Sequence, residues 1–148
     1  MKISARGRYA LAATITMAAS YEPGVCMTLP AISEKLGISK IYLEQVFALL
    51  RRADLVLSIK GPQGGYQLAR LPQELTAFDV LSAVELTLVK GNEDNLIPKD
   101  LPIESAIRAL VFDPLEQAVE IALKQTTLVD LVRESEKHKG EDGLMFFI

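Results

Sequence analysis

Two short amphipathic segments with a glycine between them restrict the folds open to this chain. Thr28 can cap a first helix, and Pro30 falls in the first turn of that helix, where proline is tolerated. Gly37 suits its end, because helices commonly stop at a residue in the left-handed conformation. Ser39 can cap a second helix, which has apolar residues at the i, i+3, i+4, i+7 spacing of one face: Leu43, Val46, Phe47 and Leu50. Two short capped helices joined by a tight turn predict a helix-turn-helix.

The spacing of apolar residues changes from helical to alternating after Asp54. Residues 55–59 and 66–70 are short strand candidates, and the glycine-rich sequence Gly61-Pro62-Gln63-Gly64-Gly65 lies between them. This pattern predicts a β-hairpin, or wing, beside the helix-turn-helix. The fold class is therefore mainly α with a small β-hairpin, a winged helix-turn-helix.

Further helices are predicted on both sides of this unit. Ser4 can cap a helix that runs to about Ser20, and Thr76 can cap another that runs to about Leu86. The earlier helix has apolar residues at helical spacing: Leu11, Ile15 and Ala18. In the later helix, the residues expected to face inward are Phe78, Leu81 and Val84.

The C-terminal part of the chain predicts a loop followed by helices. Residues 87–101 are polar and acidic and contain proline, which favours a loop. A helix over residues 102–112 then meets Asp113-Pro114-Leu115-Glu116, a helix-start pattern with Asp113 as the cap. This pattern predicts either a new helix or a kink within one long helix, in both cases to about Gln125. A last helix is expected over about residues 127–136.

Charge is distributed unevenly along the chain, although the formal net charge is only −3. Residues 1–70 contain nine basic and four acidic side chains, whereas residues 71–148 contain seven basic and fifteen acidic ones. A basic N-terminal part suits a polyanion such as nucleic acid, and the acidic remainder does not.

The sequence predicts neither a membrane span nor a signal peptide. No apolar run approaches the roughly 20 residues that cross a bilayer. The apolar segment over residues 9–19 follows basic residues, but it lacks a cleavage site and is interpreted as part of the first helix. One cysteine cannot form an intramolecular disulfide, so we expect a reducing cytoplasm.

The helix capped by Ser39 offers side chains for reading DNA bases. Those expected on its exposed side near the N-terminus are Ser39, Lys40, Tyr42, Glu44 and Gln45. In the major groove glutamine pairs with adenine and glutamate accepts from cytosine, while lysine and serine hold phosphates or base edges. The alternative is an ordinary solvated helix face, which the surrounding helix-turn-helix and basic hairpin disfavour.

Other basic positions are candidates for contact with the DNA backbone. Lys60 and Gly61 lie at the wing tip, where a glycine-rich backbone can approach the minor groove closely. Arg6 and Arg8 lie in the first turns of the first helix, where cations oppose the helix dipole unless an anion is near. Both features have ordinary alternatives, because a tight hairpin needs glycine and surface arginines often extend along apolar surface.

Residues that could carry catalysis are few. His138 is the only histidine and lies in a charged segment, and neither a nucleophile motif nor a nucleotide-binding glycine pattern is present, so we expect neither an enzyme nor a metal site. Cys26, between the first helix and Thr28, is interpreted as a small buried hydrophobe. The alternative is a redox role, in which oxidation displaces the second helix. No basic residue is adjacent in sequence, which argues against high reactivity.

Three motifs, in order, resemble those of one known family. They are residues 1–11 (MKISARGRYAL), 42–47 (YLEQVF) and 61–68 (GPQGGYQL), and residues 78–81 (FDVL) and 126–131 (TTLVDL) also fit. Together they resemble the Rrf-two (Rrf2) family of bacterial transcription regulators, which includes the IscR, NsrR and CymR types. The resemblance is weakest over residues 87–111. It implies a winged-helix domain, a long helix that crosses its twin in a homodimer, and DNA contacts by Ser39, Tyr42, Glu44, Gln45 and Lys60.

The sequence departs from the cluster-binding members of that family. Those members carry three cysteines between the fourth helix and the dimerisation helix, whereas residues 87–109 contain neither Cys nor His. One chain therefore cannot supply the ligands of an iron–sulfur cluster, and no cofactor is expected. The tail over residues 144–148 (LMFFI) resembles the cluster-lacking, CymR-like branch of cysteine-metabolism repressors, which act with cysteine synthase. We expect this apolar tail to pack against the protein.

These observations predict a homodimeric repressor that binds an inverted repeat in double-stranded DNA. Its predicted domains are the winged helix-turn-helix over residues 1–86, an acidic loop over residues 87–101, and dimerisation helices with the tail over residues 102–148. Dimerisation would cover the apolar surface of the C-terminal helices: Ile103, Ile107, Leu110, Leu115, Val119, Ala122 and Leu123. Two alternatives remain open: a protein-interaction adaptor whose winged helix is idle, and a small-molecule-responsive regulator. Heparin at low salt would not retain the adaptor.

Overall fold

The elements of the head, residues 3–85, follow the order of a winged helix. The computed structural model describes residues 3–85, 88 and 96–145, the last five of these by their backbone alone. Residues 96–145 are termed the body. In chain order the elements are α1 (Ala5–Ala19), α2 (Leu29–Leu36), α3 (Lys40–Arg52), β1 (Val56–Ile59), β2 (Gly65–Leu68), α4 (Ala77–Val84), α5 (Pro102–Ile107), a π-helical turn (Arg108–Phe112), α6 (Asp113–Lys124) and α7 (Leu128–Met145).

Side-chain caps fix the helix starts in the head. The hydroxyl oxygens of Ser4, Thr28 and Ser39 accept backbone N–H groups at 3.4, 3.3 and 3.2 Å, respectively. The hydroxyl of Thr76 caps α4 in the same way. Gly37 ends α2 with φ at 67°, a conformation in which a side chain would be strained. The predicted helix-turn-helix of α2 and α3 is thus confirmed.

The predicted apolar face of α3 forms the centre of the head core. Leu43, Val46, Phe47 and Leu50 are all fully buried. Ile38, in the turn before α3, packs against this core. Burying side chains of this size contributes about 1.5–3 kcal/mol each, so the rotation of α3 about its axis is firmly set.

The buried face of α1 differs from the predicted one. Leu11, Ile15 and Ala18 are half-buried at the rim of the core. The buried residues of α1 are Gly7, Ala10, Ala13, Thr14 and Met17. α1 packs against α3, α4 and α7, and its small side chains allow the axes to come close. The buried hydroxyl of Thr14 donates to the carbonyl of Ala10 at 2.9 Å, so it is satisfied inside the core.

β1 and β2 form the predicted antiparallel hairpin, with slightly different ends. Met27 joins it through two backbone hydrogen bonds of 2.8 Å with Tyr66. The segment before α2 is therefore tied to the wing. Gly64 has no room for a side chain, because a Cβ there would lie 2.2 Å from the carbonyl oxygen of Ile59.

α5, the π-helical turn and α6 form one continuous helix. Asp113 has helical angles, and its N–H donates to the carbonyl of Arg108, five residues earlier. A new helix start capped by Asp113 is therefore wrong, and the alternative of one long helix is confirmed, with a π-helical turn where a kink was predicted. Pro114 lacks an N–H and its ring crowds the preceding turn of an α-helix, which the wider π-helical turn accommodates.

α7 runs to Met145, beyond the predicted end near Glu136. Glu134 approaches Lys137 at 3.8 Å and His138 at 3.1 Å. Pairs at these spacings stabilise an exposed helix, and Gly140 costs only about 1 kcal/mol in a helix interior, so this glycine does not end it.

Two helix starts join the body to the head. At the start of α4, the N–H of Ala77 donates to the carbonyl of Thr126 at 2.8 Å. At the start of α7, the N–H of Leu128 donates to the carbonyl of Leu75 at 2.9 Å. Thr127 and Asp130 exchange hydrogen bonds at the start of α7, as Thr76 and Asp79 do at α4. Leu128 is fully buried, so the first turn of α7 belongs to the core of the head.

α4 turns Val80, Leu81 and Val84 into the core. Phe78, which was also predicted to face inward, is only half-buried. The ammonium of Lys124, on α6, lies 4.9 Å from the centre of its ring, so Phe78 contacts the body instead.

Parts of three predictions fall outside the described residues. They are the end of the fourth helix at Leu86, most of the acidic loop (residues 87 and 89–95) and the end of the apolar tail (residues 146–148). Of the described remainder of the loop, residues 96–101 contain no helix or strand, as predicted, whereas residue 88 is helical, contrary to the prediction.

Candidate nucleic-acid interface

α3 presents polar side chains on the side opposite its buried face. Ser39 and Lys40 are exposed at its N-terminal end, and Glu44 and Gln45 are exposed one turn later. These residues are thus brought together on one surface, where the helix N-terminus adds a partial positive charge that favours phosphate. The hydroxyl of Ser39 accepts the N–H of Tyr42, and its own O–H can still donate to another group.

Tyr42 is half-buried, in contrast to the exposed position predicted for it. Its ring packs edge-on against that of Tyr9, with centroids 4.9 Å apart and an interplanar angle of 87°. This contact joins the first turn of α3 to α1. Tyr42 therefore supports the position of the neighbouring side chains, and its own contact with DNA stays a prediction.

The wing tip is exposed and fixed relative to α3. Lys60 and Gly61 are both exposed, and Gly61 has φ at 110°. At the base of the wing, the rings of Tyr66 and Phe47 lie 4.8 Å apart, so the hairpin packs on the buried face of α3. The hairpin that carries the wing tip is consequently packed directly on α3.

The first turns of α1 carry the exposed Arg6 and Arg8. The Tyr9–Tyr42 contact brings this part of α1 beside the start of α3. The N-terminus of α1 is held by Glu85, a buried carboxylate that accepts the N–H of Ser4 at 2.9 Å and also its hydroxyl.

Basic side chains in the head are largely free of internal partners. The eight basic residues in the described head are all exposed: Arg6, Arg8, Lys35, Lys40, Arg51, Arg52, Lys60 and Arg70. Within residues 3–85, only Arg70 lies within 4 Å of a carboxylate, that of Asp79 at 3.9 Å. These exposed cations therefore remain available to a polyanion, although seven acidic side chains in residues 3–85 leave the head as a whole nearly neutral.

Sequence reasoning missed residues that the structure places on or near this surface. Ile41 is exposed on the same side of α3 as Glu44 and Gln45. Its spacing was a usable signal, because residue 41 falls outside the apolar stripe of α3. Arg51 and Arg52 are further exposed cations, in the last turn of α3.

Comparison with known proteins identifies the family. A family model described as "Rrf2: Iron-dependent Transcriptional regulator" matches residues 3–134. The chain belongs to the Rrf2 family. The Rrf2 regulator CymR of Bacillus subtilis (strain 168) is 35% identical over the full length of both chains. The solved structure of B. subtilis CymR (YrzC), described as its global cysteine regulator, has a TM-score of 0.73 and 34% identity, covering 90% of this chain and 98% of that one.

IscR proteins are Rrf2 relatives over a shorter region. IscR of Aliivibrio salmonicida is 46% identical over 85 residues, which are 57% of this chain and 50% of the relative. The chain thus spans about half the length of the IscR proteins that it matches. These homologues and the winged-helix fold are those of transcription regulators, not of enzymes, and they imply DNA binding.

The iron dependence in the Rrf2 description does not suit the residues of this chain. Iron–sulfur clusters are held by several thiolates, and the sequence contains one cysteine. Among the described residues, no three His, Cys, Asp or Glu side chains are grouped so that they could hold a metal ion. One protomer therefore does not fit a cluster.

Cys26 lies in the head at the base of the wing. It is half-buried and lines a pocket of about 100 Å³ together with Met17, Tyr21 and Tyr66. Its neighbour Met27 makes the backbone hydrogen bonds to Tyr66 that join the wing to the segment before α2. Cys26 is thus neither fully buried nor part of the exposed α3 surface.

His138 is exposed on α7, and its ring nitrogen lies 3.1 Å from the carboxylate of Glu134 on the same helix. In the described part of the chain, no helix is long and apolar enough to cross a membrane.

Proposed function

We propose that this Rrf2 protein is a homodimeric, sequence-specific DNA-binding repressor without an iron–sulfur cluster, acting in the cytoplasm. The observation that carries the proposal is the exposed polar side of α3, held in place by the buried face of that helix and flanked by unpaired basic residues of the head. This combination suits a helix that enters the major groove.

In the proposed complex, the head contacts base edges and backbone at separate places. Gln45 and Glu44 face base edges, and Ser39 and Lys40 hold phosphates or bases at the N-terminal end of α3. Lys60 and Gly61 place the wing tip at the adjacent minor groove. Arg6 and Arg8 contact phosphates beside α3, which offsets their unfavourable position at a helix N-terminus.

Dimerisation through the long helix of the body completes the proposal. None of the side chains in α5, the π-helical turn and α6 is buried within one chain. Of the predicted interface residues, Ile103, Leu110, Leu115 and Ala122 are exposed and Ile107, Val119 and Leu123 are half-buried. A second copy would cover this apolar surface, and two heads would then read half-sites one or more helical turns apart. Repression would follow from occlusion of a promoter.

The proposal is tested by selecting bound duplexes from a random DNA pool with the full chain. The expected result is an inverted repeat, bound with an affinity that falls as salt rises. Recovery of no common sequence would overturn sequence-specific binding. Failure of the head to be retained by heparin at low salt would favour an adaptor whose winged helix is idle.

A single substitution tests the role of α3 as the base reader. Gln45→Ala should bind the selected duplex more weakly and should lose about 1–3 kcal/mol of discrimination against a duplex changed at one base pair. Gln125→Ala, at an exposed glutamine after α6, should keep both affinity and discrimination. Affinities for matched and changed duplexes provide the measurement, and a uniform weakening by Gln45→Ala would exclude base reading by this residue.

We extend the proposal to control of cysteine or sulfur metabolism, because the chain is similar over its full length to a protein described as a global cysteine regulator. Cysteine synthase would then be a protein partner. Affinity for the selected duplex is to be measured with and without cysteine synthase and O-acetylserine. An affinity that ignores both additions would overturn this extension.

We also propose that Cys26 acts as a redox handle. Peroxide would oxidise its thiol to a sulfenic acid and be reduced to water. The added oxygen at the base of the wing would disturb the Met27–Tyr66 hydrogen bonds. Mild peroxide should then weaken DNA binding by the wild type but not by Cys26→Ser, and full binding by protein shown to be oxidised would reject this role.

A further inference from the structure

Ile41 is the most exposed large apolar side chain among residues 3–85, with 72% of its surface accessible. It lies in the first turn of α3, immediately after Lys40. Glu44 and Gln45 follow it at i+3 and i+4, so the three side chains are neighbours on one exposed side of the helix.

The fold makes no use of this side chain. Ile41 is neither in the head core nor among the half-buried residues packed against it. β-branched residues are also weaker helix formers than the lysine, glutamate and glutamine around it, so local helix stability does not favour isoleucine here. Single exposed apolar residues are common on proteins, and exposure alone would therefore carry no conclusion. Ile41, however, lies beside Glu44 and Gln45, for which contacts with base edges are proposed. Its exposed side chain is therefore placed to contact a base as well.

The major groove contains one apolar group that such a side chain can recognise. Of the four bases, only thymine presents a methyl group there, and apolar side chains contact it. We propose that Ile41 reads a thymine through its C5 methyl group, close to the base pair that Gln45 reads. This inference rests on the proposed function, because it requires α3 to lie in the major groove.

Replacement of thymine by 2′-deoxyuridine isolates this contact. The probe is the duplex recovered from the random pool, in which each thymine of one half-site is replaced in turn. Deoxyuridine keeps every hydrogen-bonding group of thymine and lacks only the methyl. At one position we expect about fourfold weaker binding of the wild type, the factor that corresponds to one buried methyl group.

Variants connect the effect to Ile41. Ile41→Ala should bind the thymine and deoxyuridine duplexes with equal affinity, because the side chain that contacts the methyl is gone. Val25→Ala removes an apolar group that is 56% exposed in the loop before α2, and it should keep the fourfold difference. The midpoint of thermal unfolding should not fall in either variant, because both positions are exposed and alanine is a better helix former than isoleucine at position 41.

The outcomes separate this inference from the function on which it rests. Tight binding by a wild type that is indifferent to deoxyuridine at every position overturns the role of Ile41 alone. A selected half-site without thymine does the same, as does an unchanged deoxyuridine penalty in Ile41→Ala. Recovery of no duplex overturns DNA recognition itself, and the role of Ile41 falls with it.

Discussion

Lys60 occupies the exposed tip of the wing, next to Gly61. A lysine that neutralises a phosphate releases a condensed counterion, and this release makes binding depend on salt. Lys60→Ala should therefore weaken binding and reduce the slope of log K against log salt concentration by about one. Lys139→Ala, at an exposed lysine of α7, is the matched control and should leave the slope unchanged. Equal slopes for the wild type and Lys60→Ala would remove the wing tip from the interface.

Features of single residues were predictable where their cause is local. Ser39 caps α3 because its hydroxyl oxygen accepts the N–H of a residue three positions later. Gly37 ends α2 because glycine adopts the left-handed conformation without strain. Tyr42 is half-buried because of Tyr9, which belongs to another helix. No spacing rule within α3 contains that contact, and the exposure predicted for Tyr42 was wrong for this reason.

At the scale of one element, the start of α7 is stabilised by a carboxylate that accepts a backbone N–H. The backbone N–H of Thr127 donates to the carboxylate of Asp130 at 2.9 Å. This bond, the Thr127 side chain and more weakly Arg133 lower the pKa of Asp130 below its ordinary value of 3.8, against a smaller opposing effect of desolvation. A carboxyl with a lowered folded-state pKa stabilises the protein above its unfolded pKa and loses that contribution as the pH falls through its folded pKa.

Asp130→Asn should consequently lower the midpoint of thermal unfolding at neutral pH. The difference from the wild type should shrink as the pH falls from about 3.8 through the lower folded-state pKa of Asp130, where the wild-type carboxylate becomes protonated and loses its charge. Glu136→Gln, which removes an exposed acid from the same helix, should show no such trend. A difference that stays constant with pH would mean that the ionised carboxylate does not stabilise this helix start.

The interrupted helix shows where a sequence signal is ambiguous. Asp113 and Pro114 favour a helix start when the preceding residues are not helical. Here the preceding residues are themselves helical, and the π-helical turn removes the steric conflict at Pro114. The choice between the two outcomes depends on how the whole helix packs, which residues 113–116 do not encode.

At the scale of the molecule, the cations counted over residues 1–70 are exposed wherever the structure describes them, whereas residues 71–85 add three acidic side chains to the same folded head. The junction between head and body was not predictable from the same counts. Leu128 completes the core of the head although it belongs to α7, and Lys124 contacts Phe78 across the same junction. Both contacts join residues far apart in the chain, so they depend on the fold and not on local spacing.

The proposed dimer depends on the exposed apolar side of the long helix formed by α5, the π-helical turn and α6. Leu110, in the π-helical turn, is 80% exposed in one chain, so Leu110→Glu should leave the folded protomer intact. In a dimer the same carboxylate would be buried without a partner, at a cost of several kcal/mol. Light scattering should therefore give the mass of one chain for Leu110→Glu and of two for the wild type. Leu57→Glu, an equal change on the exposed side of β1, should keep the mass of two chains. A dimeric Leu110→Glu would place the interface elsewhere, whereas a monomeric one should still bind a single half-site weakly, because each head retains its own α3 surface.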